Sequence, residues 1–167
     1  REQWLYGAYR MGRDAIDALV ARAAPAAIYA VGGCVRDLLL DRPVTDVDLA
    51  YAADAIDLTR EPIRGAKLTA SHTRFRTATL VVGTARIDIA TARTETYPRP
   101  GDLPRVATPA PIEDDLRRRD FSINAIALRL DGDPLLLDPC NGIADLGAGV
   151  VRVLHDASFR DDATRIY

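Results

Sequence analysis

Residues 30–50 read AVGGCVRDLLLDRPVTDVDLA and hold two features that chemistry can use. Asp46 and Asp48 are separated only by the β-branched Val47. In a strand, positions i and i+2 point to one face, so the two carboxylates would converge. Paired anions repel, and taking them out of water is costly. A hard divalent cation removes that cost, and Mg2+ is commonly held by one or two carboxylates plus substrate phosphates. A solvated pair on an exposed strand, with Val47 alone packed, fits the same spacing. Upstream, Gly32-Gly33 follows an apolar run and precedes a helical pattern. Glycine admits close backbone approach and positive φ, and a helix start offers N–H groups to an anion. Arg36, one turn on, would add a charged fork. A plain tight turn also explains the two glycines. Neither GxGxxG nor GK[ST] is present, so this is not a dinucleotide fingerprint or a P-loop. The combined reading is a site whose glycines admit a nucleoside triphosphate and whose carboxylates hold the activating metal.

Three further groups bear on that reading. Asp88 lies between Ile87 and Ile89, so it faces away from both. If its strand neighbours Asp46 and Asp48, three carboxylates meet; an exposed alternation residue is the other reading. Asp114–Asn124 reads DDLRRRDFSIN. Arg117, Arg118 and Arg119 cannot all face one way on a helix, and such a run is often a solvated surface. Followed by Asp120 and Asn124, it supplies donors for phosphates and an acceptor for a ribose hydroxyl. Near the end, Asp162 and Arg165 stand at i and i+3, the spacing of one helix face. They suit a local ion pair, or an acceptor–donor pair for a base edge.

Positioning these groups calls for a mixed fold. Ile16, Leu19 and Val20 predict a helix over residues 13–24, ended by Pro25. Residues 26–31 predict a buried strand leading into Gly32, and residues 34–40 a helix broken by Pro43. A strand over 44–52 carries Asp46 and Asp48, and a short helix over 54–60 follows. Residues 77–82 and 85–91 flank Gly83-Thr84 as a hairpin. Five prolines within residues 94–112 predict a long loop without a packed helix or strand. Helical patterning returns over 112–128, broken near Asp120-Phe121; residues 127–130 and 135–137 form a second hairpin around 131–134. A short helix over 142–146, a strand over 150–154 and a final helix from Phe159, capped by Asp156 or Ser158, complete the order. The fold class is α/β (α+β): a mixed, largely antiparallel sheet with flanking helices.

Composition sets the bounds. The chain has 167 residues, enough for one core, and 48% hydrophobic residues, in the ordinary globular range. A net charge of −2 gives no global sign of nucleic-acid binding, although a local basic groove would suffice. Lys67 is the single lysine, and arginine is the better bidentate phosphate ligand. Cys34 and Cys140 form no CxxC, and His72 and His155 have no zinc-like spacing. Free thiols point to a reducing, cytoplasmic setting. No apolar run reaches the roughly 18 residues of a membrane span, so no membrane partner is expected. The chain begins without Met and stops at Arg165-Ile166-Tyr167 without a helix stop signal, as a piece of a longer protein would.

Four segments in order resemble the head domain of the tRNA nucleotidyltransferase (CCA-adding enzyme) and bacterial poly(A) polymerase family: GGCVRDLLLDRPVTDVDLA, DLRRRDFSINAIAL, DPCNGIADL and FRDDATR. The stretch TARTETYPRPGDLPRV is similar to the family's segment between its first two motifs. The resemblance implies a nucleotidyltransferase-type sheet. It implies a catalytic head over 26–154 and the start of a neck helix over 155–167, preceded by the N-terminal helical segment over 1–25. Asp46 and Asp48 would bind catalytic Mg2+. Gly32, Gly33 and Arg36 would lie at the nucleotide's phosphates, and Arg119 and Asp120 at its triphosphate and ribose. Asp162 and Arg165 would serve as a protein template for ATP or CTP, and residues 94–111 as the loop that helps switch between them. Two departures stand out: Arg76 where the family often has Gly, and Asp161-Asp162 where it usually has Glu-Asp.

The implied reaction is template-independent addition of CMP or AMP to an RNA 3′ end, as in tRNA CCA addition. The 3′-hydroxyl attacks the α-phosphate in line and pyrophosphate leaves. No side-chain nucleophile is needed, which agrees with the lack of a Ser/His or Cys/His constellation. Alternatives are poly(A) synthesis, an NTP–Mg-binding fragment without turnover, and transfer to a small molecule or protein.

Overall fold

The computed structural model describes residues 12–99, 102 and 104–166. Residues 1–11, where the expected N-terminal helical segment begins, lie outside that range. Among the described residues, no helix is long and apolar enough to cross a membrane.

The chain runs α1 (Arg13–Ala23), β1 (Ile28–Val31), α2 (Gly33–Leu39), β2 (Asp46–Tyr51) and α3 (Ala55–Leu58). Strands β3 (Lys67–His72), β4 (Thr77–Val82) and β5 (Ala85–Thr91) follow, then a small hairpin of β6 (Thr94–Thr96) and β7 (Arg105–Ala107). Next come α4 (Ile112–Arg117), a 3-10 turn (Ser122–Asn124), β8 (Ala127–Arg129), β9 (Leu135–Leu137) and α5 (Gly142–Ala148). Helix α6 (Ser158–Asp161) and a second 3-10 turn (Ala163–Ile166) complete it.

Seven strands form one sheet in the order β3-β4-β5-β2-β1-β8-β9. The β2–β5 pair is parallel, and the other pairings in this sheet are antiparallel. Strand alternation sends side chains to two faces. On one face Ile28, Ala30, Val47, Leu49, Tyr51, Leu80, Ile87 and Ile89 form a core with α1 and α2, through residues such as Ile16, Leu19, Val35 and Leu38. On the other, Tyr29, Val31 and Ala50 pack against Ile112 and Leu116 of α4. Asp46 and Asp48 alternate with Val47 and Leu49, so they emerge on this second face, beside α4.

Several expectations need correction. Residues 94–112 are not devoid of strands: β6 and β7 pair antiparallel, Thr94 opposite Ala107. Both strands are three residues long and carry little buried apolar surface, so periodicity gave no sign of them. The same cause hid β3, whose pattern is almost wholly exposed. The strand expected over 150–154 is reduced to a bridge between Phe121 and Val153. Helical patterning over 112–128 yields α4 and a 3-10 turn before the chain enters β8. The final helix is interrupted at Asp162, whose φ of −140° and ψ of 102° are extended.

The segment DPCNGIADL closes tightly on the turn after α4. Asp138 accepts hydrogen bonds from the N–H groups of Gly142 (2.7 Å) and Ile143 (2.9 Å) at the start of α5. A Cβ at Gly142 would lie 2.0 Å from the Ser122 carbonyl oxygen, so only glycine fits. Ser122 Oγ donates to buried Asp145 (2.6 Å), which also receives Arg152 (2.9 Å). At the other departure from the family pattern, Arg76 adopts φ of +50° and ion-pairs with Asp54, the N-cap of α3.

Candidate nucleotide-transfer site

Asp48 stands opposite Asp88 in the parallel β2–β5 register, with Asp46 opposite Arg86. The strand of Asp88 therefore neighbours that of Asp46 and Asp48, with Asp88 beside Asp48 on the same surface. Their surroundings differ. Asp88 accepts from Thr79 Oγ1 (2.5 Å) and pairs with Arg86 (2.8 Å). Asp48 is exposed on the strand but lines a concave cavity wall. Burial raises its carboxyl above the usual range; Arg119 opposes this, and Asp88 and Asp46 add to it. A carboxylate held against its preference beside two others suits a divalent cation with oxygen ligands. Among the described residues, no three His, Cys, Asp or Glu side chains form a group that could hold a metal ion by themselves. The donor set of Asp46 and Asp48 thus fits an ion that shares its coordination with substrate oxygens.

Gly32 turns the chain from β1 into α2 with φ of +75°. Its N–H donates to the Ile126 carbonyl (3.3 Å), tying the glycine turn to the segment after the arginine run. A Cβ on Gly32 would meet Arg119 Nη1 at 2.9 Å and Asp48 Oδ2 at 3.8 Å. Glycine turn, Asp48 carboxylate and Arg119 guanidinium therefore converge within a few ångströms. Behind Gly32, Cys34 Sγ donates to the Val31 carbonyl (3.1 Å), and burial pushes this thiol up, so it is a structural thiol.

The arginine run divides three ways. Arg117 pairs with Asp114 on the surface (3.6 Å). Arg118 is internal, donating to Asp115 (2.7 Å), Glu95 (3.1 Å) and the Arg93 carbonyl (3.1 Å). Arg119 turns toward Gly32, anchored through Nη2 to Asp115 (3.1 Å), while its buried Nε has no hydrogen-bond partner. A buried donor without a partner costs free energy until an acceptor arrives. Arg119 also lines a cavity of about 420 Å³, with Asp48, Asp88, Thr79, His72 and Arg118 among others.

Asp120 and Arg36 are joined through Asn124. Asn124 Nδ2 donates to Asp120 (3.1 Å), and its Oδ1 accepts from Arg36 Nη1 (2.8 Å). Arg36 also pairs with Asp37 (3.0 Å), so its fork is partly committed within the protein. Gly33 lies against this guanidinium: a Cβ there would be 3.4 Å from Arg36 Nη2.

Asp162 and Arg165 do not share a face of one continuous helix, because the helix breaks at Asp162. Asp162 accepts from Thr164 N–H (2.9 Å) and Oγ1 (2.6 Å). Arg165 donates to Ser158 Oγ (2.7 Å) and the Arg118 carbonyl (3.0 Å), and lies 3.9 Å from Asp162. The pair is adjacent, with most donors turned inward. Sequence reasoning passed over Asp115, Glu95 and Thr79. For Asp115 the signal was present: Arg118 and Arg119 follow it at i+3 and i+4.

A parallel strand pair bearing three carboxylates, faced by a glycine turn and an anchored arginine, is the layout of a nucleotidyltransferase-type domain. The family model described as the poly A polymerase head domain matches residues 28–152, and the chain belongs to that family. It is 45% identical over 141 residues to the A-adding tRNA nucleotidyltransferase of Aquifex aeolicus, covering 83% of this chain and 17% of that protein. A solved CCA-adding enzyme in apo form superposes with a TM-score of 0.82 at 36% identity, covering 99% of this chain and 40% of that one. A tRNA nucleotidyltransferase complexed with a primer tRNA and an incoming ATP analog gives a TM-score of 0.74 at 38% identity, covering 88% and 41%. The chain thus spans less than half the length of each of these relatives.

Proposed function

We propose that this chain is the catalytic head of an enzyme that adds CMP or AMP to the 3′ end of tRNA without a nucleic-acid template. The convergence of Gly32, Asp48 and Arg119, with Arg119 Nε left without a partner, carries the reading. In this reading residues 26–154 are the head and residues 155–167 lead toward a neck. The A-adding, CCA-adding and primer-tRNA complexes among the relatives support tRNA as acceptor and ATP and CTP as donors. The reaction belongs to the cytoplasm, where the thiols of Cys34 and Cys140 stay reduced.

Gly32 and Gly33 leave room for the triphosphate to approach the backbone. Arg119 turns Nη1 to its oxygens, and Arg36 adds positive charge on the adjacent side. Asp120, oriented by Asn124, accepts from a ribose hydroxyl. Asp162 and Arg165 offer an acceptor and a donor to the base edge once Arg165 exchanges an internal partner for the base. Mg2+ held by Asp46 and Asp48 would acidify the acceptor hydroxyl and offset the charge of the triphosphate. The 3′-oxygen bonds to the α-phosphorus, the bond to pyrophosphate breaks, and the hydroxyl proton passes to solvent. Positioning and charge complementarity do most of the work. Incubating the protein that carries this chain with labelled ATP or CTP and a tRNA lacking its 3′ CCA tests the reading. Labelled tRNA is expected; no transfer with either nucleotide contradicts it.

A second reading concerns the chain by itself. Because it spans less than half of its relatives, the isolated chain would bind NTP with Mg2+ but not turn over. Nucleotide binding without transfer to tRNA separates this from the first reading.

A further inference from the structure

Asp115 is buried, 1% exposed, and its two oxygens have different partners. Oδ1 accepts from the Arg93 N–H (3.0 Å) and from Arg118 Nη2 (2.7 Å) and Nε (3.2 Å). Oδ2 accepts from Arg119 Nη2 (3.1 Å). Arg118 is held independently by Glu95 and the Arg93 carbonyl. The Oδ1 side thus fastens α4 to the root of the β6–β7 hairpin, and the Oδ2 side holds the arginine of the run that reaches Gly32.

We infer that Asp115 is a positioning residue for the incoming triphosphate, its Oδ2 fixing Arg119 so that Nη1 faces Gly32 and Asp48. The inference rests on the nucleotide site proposed above. A free arginine loses rotamer freedom when it binds a phosphate; one already ordered by a buried carboxylate has lost it on folding, which favours affinity. Proximity alone does not do this, because Nη1 stands 2.9 Å from the Cβ position of Gly32 and a modest swing would carry the fork out of register.

The isosteric Asp115→Asn separates the two sides. Its carbonyl can keep the Arg93 and Arg118 bonds, which places an amide N–H2 against Arg119, donor against donor. Titration of ATP in the presence of Mg2+ is compared for the wild-type chain, Asp115→Asn, Arg119→Ala and the double variant. Asp115→Asn is expected to weaken ATP binding by about ten- to hundred-fold, and the double variant to bind like Arg119→Ala. Wild-type affinity in Asp115→Asn, or losses that multiply in the double variant, would overturn the inference. Should Asp115→Asn not fold, Arg119→Lys decides. Its single nitrogen keeps the charge but cannot hold Asp115 and present a fork, so a loss close to that of Arg119→Ala is expected. Wild-type affinity in Arg119→Lys overturns the inference. A wild-type chain that binds no ATP removes the nucleotide-site reading itself, before any substitution is compared.

Discussion

Asp48 and Asp88 face each other across a parallel strand pair; Asp88 hydrogen-bonds Thr79 and ion-pairs with Arg86, whereas Arg119 and Arg86 only partly offset the charge of Asp48. Asp48 is left with an elevated carboxyl pKa, through burial first and then its acidic neighbours. In the proposed function, that asymmetry makes Asp48 the carboxylate that gains most from a bound cation.

Asp48→Asn should therefore abolish nucleotide transfer while raising the melting temperature of the metal-free protein at neutral pH. The folded-state pKa lies above the unfolded value, so ionised Asp48 lowers stability. That cost is complete above the folded pKa and fades as pH falls toward the unfolded value of about 3.9. The advantage of Asp48→Asn should shrink over the same interval. Thermal melts of both proteins across pH, with EDTA, check this; a destabilised Asn variant at neutral pH would contradict it.

Gly32→Ala is expected to cost about 1 kcal/mol in stability, because alanine resists a φ of +75°. Its Cβ also reaches the Arg119 guanidinium, so ATP binding should weaken beyond what partial unfolding explains. Denaturant unfolding and ATP titration measure the two effects separately.

Gly142→Ala should be the more damaging glycine substitution, about 3 kcal/mol or complete failure to fold, since its Cβ overlaps a backbone carbonyl at 2.0 Å. Ile143→Ala beside it removes a side chain that is 40% exposed and should cost little. Equal denaturation midpoints for the two variants would refute the packing account.

Acid should loosen the frame around the site. Burial raises the Asp115 carboxyl, but Arg118 and Arg119 outweigh it and hold it below the ordinary range. Hydrogen bonds from Arg152 and Ser122 hold Asp145 down as well. Both folded-state values lie below the unfolded one. Their stabilisation is therefore present above about pH 4 and is lost as pH falls through the folded values. Melting temperatures should drop below that point, less steeply in Asp145→Asn; an unchanged slope would sink the assignment.

The parts of the fold legible in the sequence were those with strong punctuation. Pro25 and Pro43 bounded the first two helices, and Gly83-Thr84 marked the β4–β5 hairpin. Alternation around Val47 put Asp46 and Asp48 on one face, and the structure keeps both off the core formed with α1 and α2. Strands without a buried face, β3, β6 and β7, left no apolar period to read. The Asp48–Asp88 pairing was beyond local pattern, because a parallel partner is set by the crossover of β3 and β4 rather than by either strand. The helix break at Asp162 was hidden too, since its side chain bonds to Thr164 instead of continuing the helix. For Arg117 to Arg119, spacing showed that they diverge, and the buried Asp115 binds both Arg118 and Arg119 and leaves Arg119 reaching Gly32.

The most direct test of the central claim is transfer of labelled AMP or CMP to a tRNA lacking CCA by the protein that carries this chain. Wild type is compared with Asp46→Ala and Asp48→Ala in the presence of Mg2+. The account predicts labelled tRNA with wild type and none with either variant, while both variants remain folded by circular dichroism. Transfer retained by a folded Asp46→Ala or Asp48→Ala would contradict it.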